Sequence, residues 1–368
     1  MAQCIENPVL YYFVHLYNDF SGSPRVLREM ISTVSSEKHL ITSDGEGVLS
    51  DIDGVEYHQF RYIPNSNKFV KLYQFVVANI IIFHMLYRLL KANKAQEQHV
   101  IVNTMLPFGA MFAARIMKVR TTVYIHETSI KPILLKKFLR FCINKCASET
   151  IFVSNYLFET EKLENITNQY VIYNPLSNSL ITPIDELDID AKYHGRNVLF
   201  LSSLVPYKGL DDFLAIAKMA IVKSQDINFH MVLNCSVTQF NSFLKEREIP
   251  RNVTMYNRPK NLRGLYQMSS FVLNLSTPEW IETFGLTLVE GMANGAIPIG
   301  PVTGGPAEII KSAFGYTISH DRHDEILNKI ITLLNDRENF YAFSRNARDA
   351  SERYFFEQYR ENLQCILK

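Results

Sequence analysis

The chain is poor in the features that mark several classes of protein. Cysteine is scarce: Cys4, Cys142, Cys146, Cys235 and Cys365 are odd in number and scattered. Cys142 and Cys146 lie four apart in a helical pattern, yet no nearby His or Cys pair completes a zinc site. The expectation is a set of buried thiols in a reducing, cytoplasmic protein. Net charge is nearly absent at +1, which removes electrostatic support for a nucleic-acid partner. The opening MAQCIENPVLYYFVHLY lacks a basic start and a small-residue cleavage site, so a signal peptide is not expected. Long uninterrupted apolar runs are missing too. The best span, Leu72 to Leu90, contains Gln74, Asn79, His84 and Arg88, which favours a largely buried helix over a membrane crossing. There is no low-complexity tract or short-period repeat.

What remains is ordinary globular composition, 47% hydrophobic and 20% charged, over 368 residues. That length exceeds what one core usually supports, so two domains are expected. Strands are expected at Leu10–Leu16, His39–Thr42, Val100–Asn103, Thr122–His126, Thr150–Val153 and Tyr170–Ile172. Helices fit at 24–33, 69–92, 108–118, 132–146 and 155–163. Pro24 suits a first helical turn, because its missing N–H has no intrahelical partner there. Residues 182–195 are acidic, carry no clear period and read as a linker. The alternation then restarts: strands at Val198–Leu201, Phe229–Leu233, Val253–Tyr256, Phe271–Leu275 and Ile297–Ile299, with helices at 209–223, 238–246, 261–268 and 285–294. Asp324–Leu367 reads as helical, with a break near Tyr354–Phe356. Strands separated by helix-length patterns imply parallel βαβ units. The fold class is therefore α/β, with two Rossmann-like doubly wound domains facing a cleft and ligands at the carboxyl ends of the strands.

The most informative segment is STPEWIETFGLTLVEGMANGAIPIGPVTGGPAEII, residues 276–310. Glu282 ends a loop after an apolar strand, and Phe284-Gly285-Leu286 opens a helix. A helix start with a glycine lets backbone N–H groups approach a phosphate, and the helix dipole favours its charge. Glu290 lies about five residues into that helix and shares a face with Leu286 and Ala293. The two carboxylates thus flank the phosphate position. Each can accept two hydroxyls, Glu282 from a sugar and Glu290 from a ribose. Two solvated glutamates would show the same spacing alone, so the flanking residues decide. A strand, AIPIG, follows, and then Thr303-Gly304-Gly305-Pro306 with Glu308.

These residues resemble the family-4 glycosyltransferases, a group of GT-B fold. The match runs through Glu282, Phe284, Gly285, Glu290, Gly291, Met292, Ala293, Gly295 and Pro298, and the Gly-Gly-Pro-x-Glu run is similar as well. A second segment, residues 198–220, carries Lys208-Gly209 between a strand and an amphipathic helix. Its compact ammonium suits a pyrophosphate. It resembles the family's strand–Arg-Leu-x-x-x-Lys-Gly motif, which implies that Lys208 is a diphosphate ligand, but Ser203 stands where the family has arginine. A hydroxyl does not replace that charge, so Arg258 or Arg25 supplies it or diphosphate binding is weaker.

In YNDFSGSPR, Gly22 lies between a strand and a helix, where the backbone can approach a phosphate. The loop is similar to the family's first Gly-rich loop, with Ser21 in place of its first glycine. His126 ends a strand with Glu127 beside it. Such a pair faces the donor sugar in the resembling family, which implies a donor or acceptor contact. Asn174, in Tyr173-Asn174-Pro175, is similar to a segment near that family's interdomain hinge. The Asp-x-Asp pairs Asp51/Asp53 and Asp188/Asp190 lie in polar stretches rather than at strand ends, so no metal is expected.

The resemblance implies a retaining transferase that is metal-independent and needs no cofactor. Its donor would be a UDP- or GDP-linked hexose-type sugar, and its acceptor a saccharide or lipid-linked saccharide. Surface polysaccharide, lipopolysaccharide or glycoconjugate synthesis would be its setting. Residues 1–185 would bind acceptor, 186–350 would bind nucleotide sugar, and 351–368 would form a helix crossing back to the first domain. His126, Glu282 and Lys208 would be catalytic. Gly22, Ser203, Lys208, Arg258, Glu282, Phe284, Gly285, Leu286 and Glu290 would bind donor, with Asn174, Glu127 and Arg25 as further candidates. A silent GT-B binding subunit and a sugar-nucleotide epimerase are the alternatives. A phosphorylase would need a longer chain and a pyridoxal-lysine region. Finally, KPILLKKFLRFCINK, residues 131–145, combines five positive charges with seven apolar side chains. It is either a core helix with a basic edge or a peripheral contact with the inner face of the cytoplasmic membrane.

Overall fold

The computed structural model describes residues 9–63, 65, 67–223 and 226–367; Cys4 lies outside them. Two compact units emerge. One comprises Met1–Tyr173 with Ile366–Lys368, the other Asn174–Cys365.

The first unit contains β1 (Leu10–Val14), α1 (Gly22–Ser32), β2 (Lys38–Ser43), β3 (Glu56–Phe60), α2 (Lys68–Ala92), β4 (Gln98–Asn103), α3 (Phe108–Met117), β5 (Arg120–Ile125), α4 (Ile133–Cys146), β6 (Glu149–Phe152), α5 (Asn155–Glu161) and β7 (Asn168–Val171). Its parallel sheet runs β3-β2-β1-β4-β5-β6-β7. The central strands read LYYFV and RTTVYI because helices cover both faces, so no polar alternation is needed. The exception is β3. Its sequence EYHQF is polar, as suits an exposed edge, and apolar patterning gives no sign of it. The final residues also belong here: Tyr11 and Arg120 donate to the carbonyls of Leu367 and Ile366, each at 2.5 Å.

Helix α2 departs from its expected burial. Phe75, Ala78, Asn79, Ile82, Leu86 and Leu90 are buried, whereas Phe69, Leu72, Tyr73, Val76 and Ile80 are exposed. Among the described residues it is the one helix long and apolar enough to cross a membrane. Asn79 fixes it against α3. Its amide donates to the Phe75 carbonyl at 3.0 Å and its side-chain oxygen accepts the Gly109 N–H at 2.9 Å.

The second unit contains α6 (Ile189–Gly195), β8 (Asn197–Ser203), α7 (Leu210–Lys223), β9 (Asn228–Asn234), α8 (Val237–Glu246), β10 (Val253–Asn257), α9 (Leu262–Met268), β11 (Phe271–Leu273), α10 (Leu286–Ala293), β12 (Ile297–Gly300), α11 (Gly305–Ile309), β13 (Tyr316–Thr317), α12 (His323–Leu334), α13 (Arg337–Ser351) and all but the last two residues of α14 (Phe356–Leu367). The sheet is again parallel, ordered β10-β9-β8-β11-β12-β13. The C-terminal helical stretch breaks twice, not once. Asp336 caps α13 by accepting the Asn339 N–H, and a 3-10 turn at Glu352–Tyr354 precedes α14.

The stretch read as a linker is structured. Asp188 caps α6, and Asp190 pairs with Arg337 and Tyr341. Lys192 is fully buried. Its ammonium donates to the carbonyls of Tyr266 (3.1 Å), Gln267 (2.5 Å) and Ser269 (2.9 Å), which closes the carboxyl end of α9. Burial pushes its pKa down to about 7, while three acceptors match the three N–H groups of the charged form. Cys142, Cys146 and Cys235 are buried free thiols, but Cys365 is exposed, against expectation. Burial, then the neighbouring Cys146, pushes the Cys142 thiol up to about 12. Lys192→Met leaves three carbonyls without their donor. It is expected to destabilise the protein by about 2–4 kcal/mol in denaturant titration, since an orphaned buried polar group costs more than its bond contributes.

Candidate functional site

In each sheet the strand order reverses at one point, between β1 and β4 in the first and between β8 and β11 in the second. Connections leave such a point in opposite directions and open a crevice at the carboxyl ends of the strands. The sequence-predicted residues gather at both points.

In the first unit, His15 follows β1, Asn103 ends β4 and His126 follows β5. Asn103 joins the other two. Its amide nitrogen donates to the Ser23 carbonyl at 3.1 Å and lies 3.0 Å from His15 Nδ1. The carbonyl of Ser23 can only accept, so the amide oxygen must face His126 Nε2, 2.8 Å away. His126 therefore carries its proton on Nε2. Burial, then His15, holds the His126 pKa down at about 3, so the ring is neutral at pH 7. Glu127 accepts from the backbone N–H groups of His126 and Met105 at 3.3 Å each. Burial nonetheless pushes its carboxyl up to about 7. Thr104, between Asn103 and Met105, sits at φ 78°, a costly conformation for a β-branched residue. Gly22 is the first residue of α1 with open space around it, and Arg25 lies one turn on.

In the second unit, Ser203 ends β8 and is exposed. A 3-10 turn, Pro206–Lys208, then aims Lys208 at Glu282, with Nζ to Oε2 at 2.5 Å. Burial alone would raise the Glu282 pKa. The Lys208 ammonium outweighs it, aided by Asn274 and Ser276, and holds the carboxyl below its usual value. The turn needs Gly209, at φ 77°, because a Cβ there would stand 2.3 Å from the Leu275 carbonyl oxygen. Gly285 caps α10 at φ 103° and Leu286 is its first residue. Phe284 is a packing residue, buried edge-on against Tyr354. Gly304 and Gly305 lie under the Glu282 loop: the Gly305 N–H donates to the Glu282 carbonyl at 2.9 Å.

Glu290 is 3% exposed and accepts a hydrogen bond from the Tyr266 hydroxyl. Arg258 bears on the missing family arginine. Its Nε donates to Asn234 at 2.7 Å, and Asn234 is the register partner of Ser203. Arg258 thus reaches the carboxyl end of β9, the strand next to the one that ends at Ser203. Arg25 belongs to the first unit and Asn174 is a buried residue opening the second. Neither Asp-x-Asp pair ends a strand.

Sequence reading missed Asn103, His15 and Tyr266, since an amide or phenol becomes informative only when its partner is known. It also passed over Trp280, stacked on Tyr207 with ring centroids 5.1 Å apart. A lone tryptophan two residues before Glu282 was the available signal.

The family model of glycosyl transferases group 1 matches residues 188–350, which include Lys208, Arg258, Glu282 and Glu290. An uncharacterized glycosyltransferase of Methanocaldococcus jannaschii is 23% identical over 218 residues, 58% of this chain and 57% of that protein. The N-acetyl-alpha-D-glucosaminyl L-malate synthase of Bacillus anthracis is 25% identical over 258 residues, 66% of this chain and 65% of that enzyme. The chain thus spans less than two thirds of the length of these curated relatives. Among solved structures, Anabaena HepE in complex with UDP and glucose superposes with a TM-score of 0.78 at 16% identity, over 97% of this chain and 98% of that one. Sucrose-phosphate synthase from Thermosynechococcus elongatus gives 0.73 at 14% identity, over 98% of each chain. At such identities the likeness establishes the fold. Residues 188–350 thus match the glycosyl transferases group 1, and the chain has the paired parallel α/β sheets of a GT-B fold.

Proposed function

We propose that the chain is a retaining glycosyltransferase of the family-4 kind. It moves a hexose-type sugar from a UDP- or GDP-sugar to a saccharide or lipid-linked saccharide in polysaccharide, lipopolysaccharide or glycoconjugate synthesis. The observation that carries this reading is the Lys208–Glu282 pair beside the glycine-opened start of α10, at the reversal point of the second sheet. The likeness to HepE bound to UDP and glucose supports a nucleotide-sugar donor, with UDP the first to test.

In the proposed reaction the bond between the anomeric carbon and the diphosphate oxygen breaks. Lys208, the N–H groups at the α10 start and Arg258 neutralise the departing charge. The acceptor oxygen bonds to the same face of the sugar, and its proton passes to the leaving phosphate. Glu282 then takes a sugar hydroxyl and Glu290 the ribose, while neutral His126 and Glu127 contact donor or acceptor. None of these steps asks a protein side chain to act as a dedicated base.

UDP, or failing that GDP, is expected to raise the melting temperature of the wild-type protein. Glu290→Ala is expected to bind nucleotide at least about tenfold more weakly, the equivalent of one charge-assisted hydrogen bond. Lys208→Met is expected to lower turnover by about 100-fold in a nucleotide-release assay, as loss of one preorganised charge contact typically does. Stabilisation by neither nucleotide would leave a silent GT-B binding subunit as the better reading.

We place the chain in the cytoplasm, against the inner face of the membrane. Support comes from the apolar face that α2 and α4 expose: Phe69, Leu72, Tyr73 and Ile80 with Ile133, Leu134 and Phe141. Phe108 of α3 packs against both Phe75 of α2 and Phe138 of α4, which places α3 between the two helices. Lys131, Lys136, Lys137, Arg140 and Lys145 add positive charge, although Lys136 and Arg140 are engaged by Glu161. The protein is expected to sediment with anionic phosphatidylglycerol vesicles and not with phosphatidylcholine. Replacing Phe69 and Leu72 by Glu is expected to abolish that, and failure of the wild type to sediment would reject this surface.

A further inference from the structure

The polar edge strand of the first sheet carries a cluster that the glycosyltransferase reading does not use. β2 and β3 run parallel with His39 opposite Glu56 and Ile41 opposite His58. Side chains alternate along a strand, so His39, Glu56 and His58 share one face of the pair. Their ligand-type atoms converge. His39 Nδ1 lies 2.9 Å from His58 Nε2, His58 Nε2 lies 3.4 Å from Glu56 Oε1, and His39 Nδ1 lies 3.7 Å from Glu56 Oε2. A four-coordinate ion about 2.0–2.1 Å from its nitrogen and oxygen ligands holds those ligands roughly 3.3 Å apart. The observed separations bracket that value.

We propose that His39, His58 and Glu56 form a binding site for a divalent ion of the zinc class at the edge of the first sheet. Two imidazoles and one carboxylate suit zinc, cobalt or nickel rather than magnesium or calcium, which prefer an all-oxygen shell. The His39 ring is held in place: Tyr12 stacks on it at 5.0 Å, and its side chain is 4% exposed. Its second nitrogen, Nε2, is buried and makes no hydrogen bond, while Glu37 Oε1 stands 3.5 Å away. An ion drawing electron density through Nδ1 makes the Nε2–H a stronger donor and pulls that carboxylate in, as outer-shell carboxylates do behind metal-bound imidazoles. Glu56 is largely exposed, so water completes the coordination. The site lies toward the amino ends of its strands, at the opposite end of the sheet from His15, Asn103 and His126. Its role is to pin β3, which among the described residues has one neighbouring strand, to β2.

The test uses the full chain after chelator treatment and dialysis, titrated with cobalt(II) alone. The visible absorption of four-coordinate cobalt is expected to saturate at one equivalent and to vanish on adding zinc. Zinc is expected to raise the melting temperature by several degrees through preferential binding to the folded state. His58→Gln and Glu56→Gln, checked for folding by circular dichroism, are expected to lose the cobalt absorption, and Glu37→Gln to weaken binding by about tenfold. His323→Gln, in the second unit where His320 and His323 both pair with Asp212, is expected to bind like wild type. The proposal is overturned by six-coordinate cobalt only, or by His58→Gln and Glu56→Gln binding as wild type does.

Discussion

The second unit depends on how closely the 282–285 loop is pressed onto the backbone that follows β12. A Cβ on Gly304 would stand 2.3 Å from the Glu282 carbonyl oxygen, and one on Gly305 would stand 2.4 Å from the Phe284 Cα. No side chain fits in either place. The loop therefore rests on bare backbone, with the Gly305 N–H bonded to the Glu282 carbonyl. The position of the Glu282 carboxylate, and with it that of Lys208, follows from this contact. The Gly-Gly-Pro run thus acts from beneath the site: it sets the height of the loop that carries the carboxylate.

The two sheets reach similar ends by different electrostatics. In the first, the reversal point is lined by imidazoles kept neutral by burial and tied together through one amide. In the second, it is lined by an opposed charge pair. A neutral, donor-rich lining suits hydroxyl groups. A cationic lining suits phosphate.

The parallel strands were legible because each is a short apolar run between helix-length patterns, and every one with such a run was placed within a few residues. The elements that escaped are those without that signal. β3 reads EYHQF, β13 is two residues long, and α11 opens on a glycine and a proline. Residues 182–195 looked like a linker because acidity and a proline mark exposed chain. Lys192 anchors them all the same, and a lone lysine in an acidic stretch announces no burial. Similarly, Leu72–Leu90 looked buried because its polar residues were read as interruptions of a span. Only Asn79 of these is buried, where it bonds α2 to α3, while much of the apolar surface faces outward. At the site, the spacing Glu282–Glu290 and the position of Lys208 were visible. That Tyr266 already holds Glu290, and that Arg258 is tethered to Asn234, required the packing of segments far apart in sequence.

The Lys208–Glu282 pair has a further effect on what the second unit will accept. Each partner is the other's counterion, so the site is neutralised from within when nothing is bound. An anion offering charge alone, such as inorganic phosphate, would draw Lys208 away and leave a half-buried carboxylate without compensation. A molecule carrying both an anionic group and hydroxyls gives each partner a replacement at once. On the proposed function, the pair would act as a coincidence detector, yielding only when two chemistries arrive on one molecule.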